Sequence, residues 1–274
     1  MSASALETIA QALRPVSSLR DRAAVFCDID GTLAPIVRRP DEAHVPEKTS
    51  RLLGSLGRRY ALVACVSGRS AAEGRRLVGV GAIAYVGAHG AEVLSPGESH
   101  AEVLPAFASW RDPVRRFSTK QDTKELRLLR IRLEDKGPIM AFHWRGAPDE
   151  DAARTRLEGI AREAEAAGLN THWGRKVLEV RPPVRVDKGQ AITELVRRTG
   201  VRAAVFGGDD ATDLDGFAAL DVLVEEGALD AAVKVGVRSD EGPAGIVEQA
   251  DLVVDGTAGF VSVLELLAAD DTIG

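Results

Sequence analysis

Ala23-Ala24-Val25-Phe26-Cys27-Asp28-Ile29-Asp30-Gly31-Thr32 is the stretch on which the fold turns. Its first five residues are an unbroken apolar run, the pattern of a strand buried on both faces of a parallel sheet. Two carboxylates follow at once. Residues i and i+2 of an extended segment project to the same side, so Asp28 and Asp30 share a face. Gly31 then lets the backbone turn sharply behind them. Both acids therefore stand at the carboxyl end of a strand, the edge where open α/β sheets bind ligands. Like charges that close are costly unless a cation or a proton lies between them.

Working outward, similar runs recur at Tyr60–Val66, Ile83–Val86, Ala203–Phe206, Val222–Val224, Val233–Val235 and Leu252–Val254. Helical stretches separate them. Ser70-Ala71-Ala72-Glu73 reads as a capping box in which Ser70 and Glu73 satisfy each other's free amides. Val186 to Thr199 carries Ala191, Ile192, Leu195 and Val196 on one face and stops at Gly200. This alternation predicts an α/β protein with a doubly wound, Rossmann-like parallel-sheet core. The middle of the chain breaks the rhythm. It reads as a helix over 108–120, strands over 127–134 and 139–145, a helix over 149–167, and strands over 169–173 and 177–181. Lys136-Gly137-Pro138 is the hairpin turn between the first two strands. An αββαββ unit is thus expected as an insertion at 106–184, with the core built from 1–105 and 185–274.

Composition narrows the function. The chain has 274 residues, a net charge of −6, and is 45% apolar and 4% aromatic. It is long enough for a real core, and no apolar run reaches the length of a membrane span. An acidic, aromatic-poor chain attracts phosphate backbones weakly and stacks bases poorly, which argues against nucleic acid. Residues 111–132 are locally basic and read as a solvated face. The two cysteines, Cys27 and Cys65, sit in apolar runs as small core residues of a reducing compartment. A cytoplasmic monomer acting on a small molecule is the expectation.

The second acidic cluster is Gly208-Asp209-Asp210-Ala211-Thr212-Asp213, directly after the Ala203 strand and so on the same sheet edge. Asp28, Asp30, Asp209, Asp210 and Asp213 form an oxygen-only set of the kind Mg2+ prefers. Ser67-Gly68-Arg69 ends the Tyr60 strand and opens a helix, presenting a hydroxyl, free amides and a guanidinium to an anion. Lys188 opens the helix before the Ala203 strand. Two other patterns fail on context. Asp213-Leu214-Asp215-Gly216 lacks the first and last ligands of a calcium loop, where Ala211 and Val222 stand. Gly79-Val80-Gly81-Ala82-Ile83-Ala84 follows a helix and precedes a strand, the reverse of a dinucleotide fingerprint.

Acid pair, serine, lysine and acid cluster, in that order, resemble the four signatures of the haloacid dehalogenase superfamily of phosphatases. A narrower resemblance, to trehalose-6-phosphate phosphatases, is carried by Asp28-Ile29-Asp30-Gly31-Thr32-Leu33-Ala34-Pro35-Ile36, Ser67-Gly68-Arg69 and Gly87-Ala88-His89-Gly90-Ala91-Glu92. Glu134-Asp135-Lys136-Gly137, His143-Trp144-Arg145, Gly174-Arg175-Lys176-Val177-Leu178-Glu179-Val180-Arg181-Pro182 and Gly208-Asp209-Asp210-Ala211-Thr212-Asp213 extend it. The resemblance implies Asp28 as nucleophile, Asp30 as general acid then base, and Mg2+ held by Asp28, Asp209 and the Asp30 carbonyl. It implies Thr32, Ser67, Gly68, Arg69 and Lys188 around the phosphate. The inserted domain becomes a cap that reads the sugar with Glu134, Lys136, His143, Arg145, Lys176 and Glu179, with Arg69 and His89 also toward substrate. The implied reaction is hydrolysis of trehalose 6-phosphate. Sucrose phosphate or mannosylglycerate phosphate as substrate, and a non-catalytic sugar-phosphate binder, stay open as alternatives. The chain departs from the pattern at Leu214, where a glutamate is usual, and at Trp144, where a tyrosine is usual.

Overall fold

A computed structural model describes residues 3–37, 42–184, 187–239 and 242–269, the side chain of Ala106 excepted. In chain order its strands are β1 (Ala23–Cys27), β2 (Leu62–Val66), β3 (Ala84–Gly87), β4 (Glu92–Leu94), β5 (Glu102–Val103), β6 (Arg132–Asp135), β7 (Met140–His143), β8 (Asn170–Gly174), β9 (Val177–Arg181), β10 (Ala203–Gly208), β11 (Ala231–Arg238) and β12 (Leu252–Asp255). The chain divides into two compact units, Met1–Ala101 with Asp187–Gly274, and Glu102–Val186. The insertion therefore starts and ends a few residues outside the expected 106–184.

The first sheet runs β12-β11-β10-β1-β2-β3-β4-β5. Every neighbouring pair from β12 to β3 is parallel, and β4 runs antiparallel to β3. After β1 the chain builds outward through β2 and β3, then returns to place β10 on the other side of β1. The strand order therefore reverses between β1 and β10. In such sheets the crevice beyond the carboxyl ends at that reversal is where ligands bind. β1 and β10 are buried along their whole lengths. Continuous apolar runs were the right signature because both sheet faces are covered.

Three local expectations need correction. Val222–Val224 is not a strand but the last turn of the helix Asp213–Glu225, with Val222 47% exposed. A three-residue apolar run is compatible with either element, and here Phe217, Leu220 and Leu223 bury the helical face. Residues 124–128 form a short helix rather than the start of a strand, and Arg130 at φ 54° turns the chain into β6. The capping box is half made: Ser70 accepts from the Glu73 amide, while the Glu73 carboxylate turns to Arg69. Val186, the expected start of the next helix, lies outside the described residues. That helix spans Lys188–Thr199, is capped by Asp187, which accepts from the Gln190 amide at 2.8 Å, and ends at Gly200 with φ 68°.

The second unit is an antiparallel sheet, β6-β7-β9-β8, packed on the helices Arg111–Gln121 and Glu150–Ala166. Met140, Phe142, Leu178 and Val180 meet Leu157, Ile160 and Ala164 in its core. Strand alternation sends the intervening residues to the other face. The register aligns Glu134 with Ala141, Ala141 with Glu179, and Glu179 with His172. Trp144 belongs to the core, edge-on to Trp173 with ring centroids 5.7 Å apart. Its departure from the usual tyrosine is thus absorbed by packing. Among the described residues, no helix is long and apolar enough to cross a membrane.

Candidate active site

The ends of β1 and β10 bring together what the sequence keeps 181 positions apart, Asp28 and Asp209. Asp28 continues the strand pairing, its amide donating to the Gly207 carbonyl at 2.9 Å. Lys188, on the first turn of its helix, donates from Nζ to Asp28 Oδ1 and to Asp213 Oδ1, each at 2.7 Å. The other oxygen of Asp213 accepts from the amides of Asp209 and Asp210 at 3.0 Å. The Thr32 hydroxyl donates to Asp209 Oδ1 at 3.0 Å. Among the described residues, these bonds leave Asp28 Oδ2 and Asp209 Oδ2 untaken. Gly31 is required on two counts. It sits at φ +98°, and a Cβ there would fall 2.0 Å from Asp209 Oδ2.

Asp28, Asp209 and Asp213 are all buried and offer oxygens within 4.8 Å of one another, against the single ammonium of Lys188. Burial, with Lys188 pulling the other way and Asp213 and Asp209 adding to it, holds the Asp28 carboxyl well above the ordinary carboxylate range. Asp209 is pushed up to about 7, first by burial and then by Asp213. Burial opposes the charge on Lys188, yet the facing Asp213 and Asp28 carboxylates keep it a firm cation. An all-oxygen set with more negative than positive charge, and with two oxygens untaken, fits a hard divalent ion. Asp210 and Asp30 do not join this group. Asp210 accepts from the Thr212 amide and hydroxyl at 2.8 and 2.6 Å.

Asp30 is clasped by Arg69, with Nε to Oδ2 at 2.6 Å and Nη2 to Oδ1 at 2.7 Å. The remaining nitrogen of Arg69 donates to Glu73 at 2.8 Å. A bidentate fork fixes both position and orientation of a carboxylate. Ser67 is buried, and its hydroxyl accepts from the Arg69 amide at 3.2 Å. Gly68 lies under the His89 ring, where a Cβ would stand 2.6 Å from His89 Cε1. His89 reaches that place through an unusual turn: Ala88, His89 and Gly90 all have positive φ, and the Ala88 and His89 amides donate to the Arg69 and Ser67 carbonyls. Two supporting acids escaped the sequence reading. Glu73 braces Arg69, and the buried Glu92 accepts from the Ala71 amide at 2.7 Å at the start of the next helix. Glu92 closes the Gly87–Glu92 motif, which is the signal that pointed to it. Leu214 packs near Gly245.

In the second unit, four of the six residues expected to read a sugar share the polar sheet face. His143 Nε2 lies 2.6 Å from Glu134 Oε2, and this bond holds the Glu134 carboxyl below its ordinary range. Lys136 donates to Glu179 Oε1 at 3.1 Å. The other two stand at the β8–β9 hairpin. Lys176 pairs with Glu150, and Arg145 donates to the Arg175 carbonyl at 3.4 Å.

A trehalose-phosphatase family profile matches residues 26–244. A trehalose-phosphate phosphatase of Mycobacterium avium is 37% identical over 207 residues, 72% of this chain and 51% of that protein. An uncharacterized glycosyl hydrolase of Mycobacterium tuberculosis is 33% identical over 228 residues, 79% of this chain and 17% of that protein. The chain thus spans about half the length of the first and a sixth of the second. The crystal structure of a trehalose-6-phosphate phosphatase related protein superposes with a TM-score of 0.69 at 26% identity, covering 89% of this chain and 96% of that one. With its acid pair, serine, lysine and acid cluster gathered at one sheet edge and the profile spanning most of its length, the chain belongs to the trehalose-phosphatase family.

Proposed function

We propose that the chain is a Mg2+-dependent phosphatase that hydrolyses trehalose 6-phosphate through an aspartyl-phosphate on Asp28. The observation that carries the reading is the buried Asp28 carboxylate, held by Lys188 and facing Asp209 at the strand-order reversal. An Asp28 oxygen attacks phosphorus, and the bond to the sugar oxygen breaks. Asp30 gives its proton to the departing alkoxide, then takes one from the water that cleaves the aspartyl-phosphate. Lys188 offsets charge on the phosphate oxygens, with Ser67, Thr32 and the Gly68 amide as further donors. A bound divalent ion at Asp28, Asp209 and the Asp30 carbonyl would supply the positive charge that lets one anion approach another. An arriving phosphate competes with Asp30 for the Arg69 fork, which frees Asp30 to face the leaving group. Asp213 serves by orienting Lys188 and the Asp209–Asp210 backbone.

Sugar recognition falls to Glu134, Lys136, His143, Arg145, Lys176 and Glu179, because a wrong sugar would leave buried polar groups unpaired. The cytoplasmic setting rests on Cys27 and Cys65, which are free and buried. Phosphate release from a panel of sugar phosphates with Mg2+ tests the function. Trehalose 6-phosphate is expected to turn over fastest, ahead of sucrose 6-phosphate, mannosylglycerate phosphate and glucose 6-phosphate. EDTA is expected to stop the reaction and Mg2+ to restore it. Turnover of trehalose 6-phosphate no faster than glucose 6-phosphate removes the substrate; turnover that survives EDTA removes the metal.

A further inference from the structure

We propose that Glu73 is a positioning residue for phosphate binding, the fixed anchor on which Arg69 turns as its fork passes from Asp30 to an arriving phosphate. This rests on the reading of Arg69 as a phosphate ligand and adds a residue to it. Glu73 stands at the third position of the helix Ala71–Val78, three residues after the Ser70 cap. A glutamate there ordinarily reaches back to the amide of the capping residue. Ser70 keeps its half of that exchange and accepts from the Glu73 amide at 3.3 Å, but the Glu73 carboxylate goes to Arg69 instead. The helix start forgoes part of its own cap, and a guanidinium four residues back is held in its place.

The two carboxylates take different parts of the guanidinium. Its Nε and Nη2 edge faces Asp30 at 2.6 and 2.7 Å, while Nη1 meets Glu73 at 2.8 Å. The two-nitrogen edge is the one that a phosphate would engage. Exchange with Asp30 therefore takes place on that edge and leaves the Nη1 bond intact. Exposure ranks the partners in the same sense, with the Asp30 side chain 37% exposed, Glu73 26% and Arg69 13%. Burial works against the charge on Arg69, and Asp30 and Glu73 restore it, so the guanidinium stays a cation. Without Glu73, Asp30 alone among the described residues holds the side chain. A phosphate would then have to displace that clasp and also immobilise a guanidinium that has no second anchor.

The test is a double-mutant cycle of Glu73→Ala and Arg69→Ala in the full chain. It is read by calorimetric titration of inorganic phosphate with Mg2+ present, and by KM and kcat for the sugar phosphate that the wild type turns over best. Glu73→Ala keeps the backbone amide that Ser70 caps, so the helix start is retained. The phosphate Kd and KM are each expected to rise about 10-fold, the scale of one hydrogen bond between charged groups. The value of kcat is expected to fall less than about threefold, because the phosphate is held in ground state and transition state alike. Glu73→Gln keeps the accepting oxygen and is expected to recover most of the loss. In the Arg69→Ala background, Glu73→Ala is expected to change neither constant. If Glu73→Ala melts below the assay temperature, Glu73→Met takes its place in the cycle. A penalty of equal size with and without Arg69 means that Glu73 serves the helix and overturns the proposal, as does an unchanged phosphate Kd in Glu73→Ala. An unchanged phosphate Kd in Arg69→Ala instead removes Arg69 from the phosphate and the proposal with it, so the two failures are told apart by which single variant is silent.

Discussion

Replacing Asp28 by asparagine is expected to lower turnover by at least about 10⁴-fold, the scale set by removal of a covalent nucleophile, without unfolding the protein. Both halves follow from the same surroundings. The attacking oxygen is lost because an amide cannot form an acyl phosphate by displacement. Stability is retained because the folded protein disfavours the Asp28 anion through burial and the neighbouring Asp213 and Asp209 carboxylates. A carboxyl whose folded-state pKa lies above its unfolded value costs stability once pH rises past the unfolded value. Asparagine has the same shape and removes that cost, while Lys188 keeps Asp213 as a partner. Phosphate release and a melting curve in EDTA measure both halves. Wild-type-like turnover in Asp28→Asn would take Asp28 out of the nucleophile role.

Lys188→Met is expected to damage both properties. Lys188 is 2% exposed and is the only cation within bonding distance of the Asp28 and Asp213 carboxylates among the described residues. Breaking a buried ion pair from one side leaves an uncompensated charge and costs about 3–5 kcal/mol. Turnover should also fall by roughly 10³-fold, as for loss of one preorganised charge facing the transition state. The stability deficit carries a pH signature. Protonation neutralises the orphaned carboxylates, so the gap between variant and wild type is expected to narrow as pH falls from 7 to 5. Urea denaturation at the two pH values reads this directly. A variant as stable as wild type at pH 7 would mean that the ammonium does not hold the cluster.

The fold was most legible where burial is two-sided. β1 was read to its last residue because its apolar run is bounded by Arg22 and Asp28. The same rule failed at Val222–Val224, since a short apolar run at a helix end carries no period. The edge that gathers Asp28, Ser67 and Asp209 was legible because each of these follows a strand of the parallel sheet, and such strand ends converge whatever the intervening length; Lys188 follows none of them and reaches the edge from the first turn of its helix. What the linear sequence hides is who holds whom. Asp30 and Arg69 were read as separate groups, yet they form one clasp braced by Glu73, because the β1–β2 register sets their separation. Arg181 stood in a quoted motif with no partner assigned, since its link to Lys136 through Glu179, to which both donate, requires the β7–β9 pairing. Glu92 was hidden for a similar reason: β4 must fold back on β3 before its carboxylate can cap the helix at Ala71.

During turnover a phosphoryl group is expected on one oxygen of Asp28. Acid quenching of the enzyme with trehalose 6-phosphate and Mg2+, followed by peptide mass spectrometry, reports that group directly. A phosphorylated peptide whose modified residue is Asp28 is the predicted result; phosphate carried on any other side chain would contradict it.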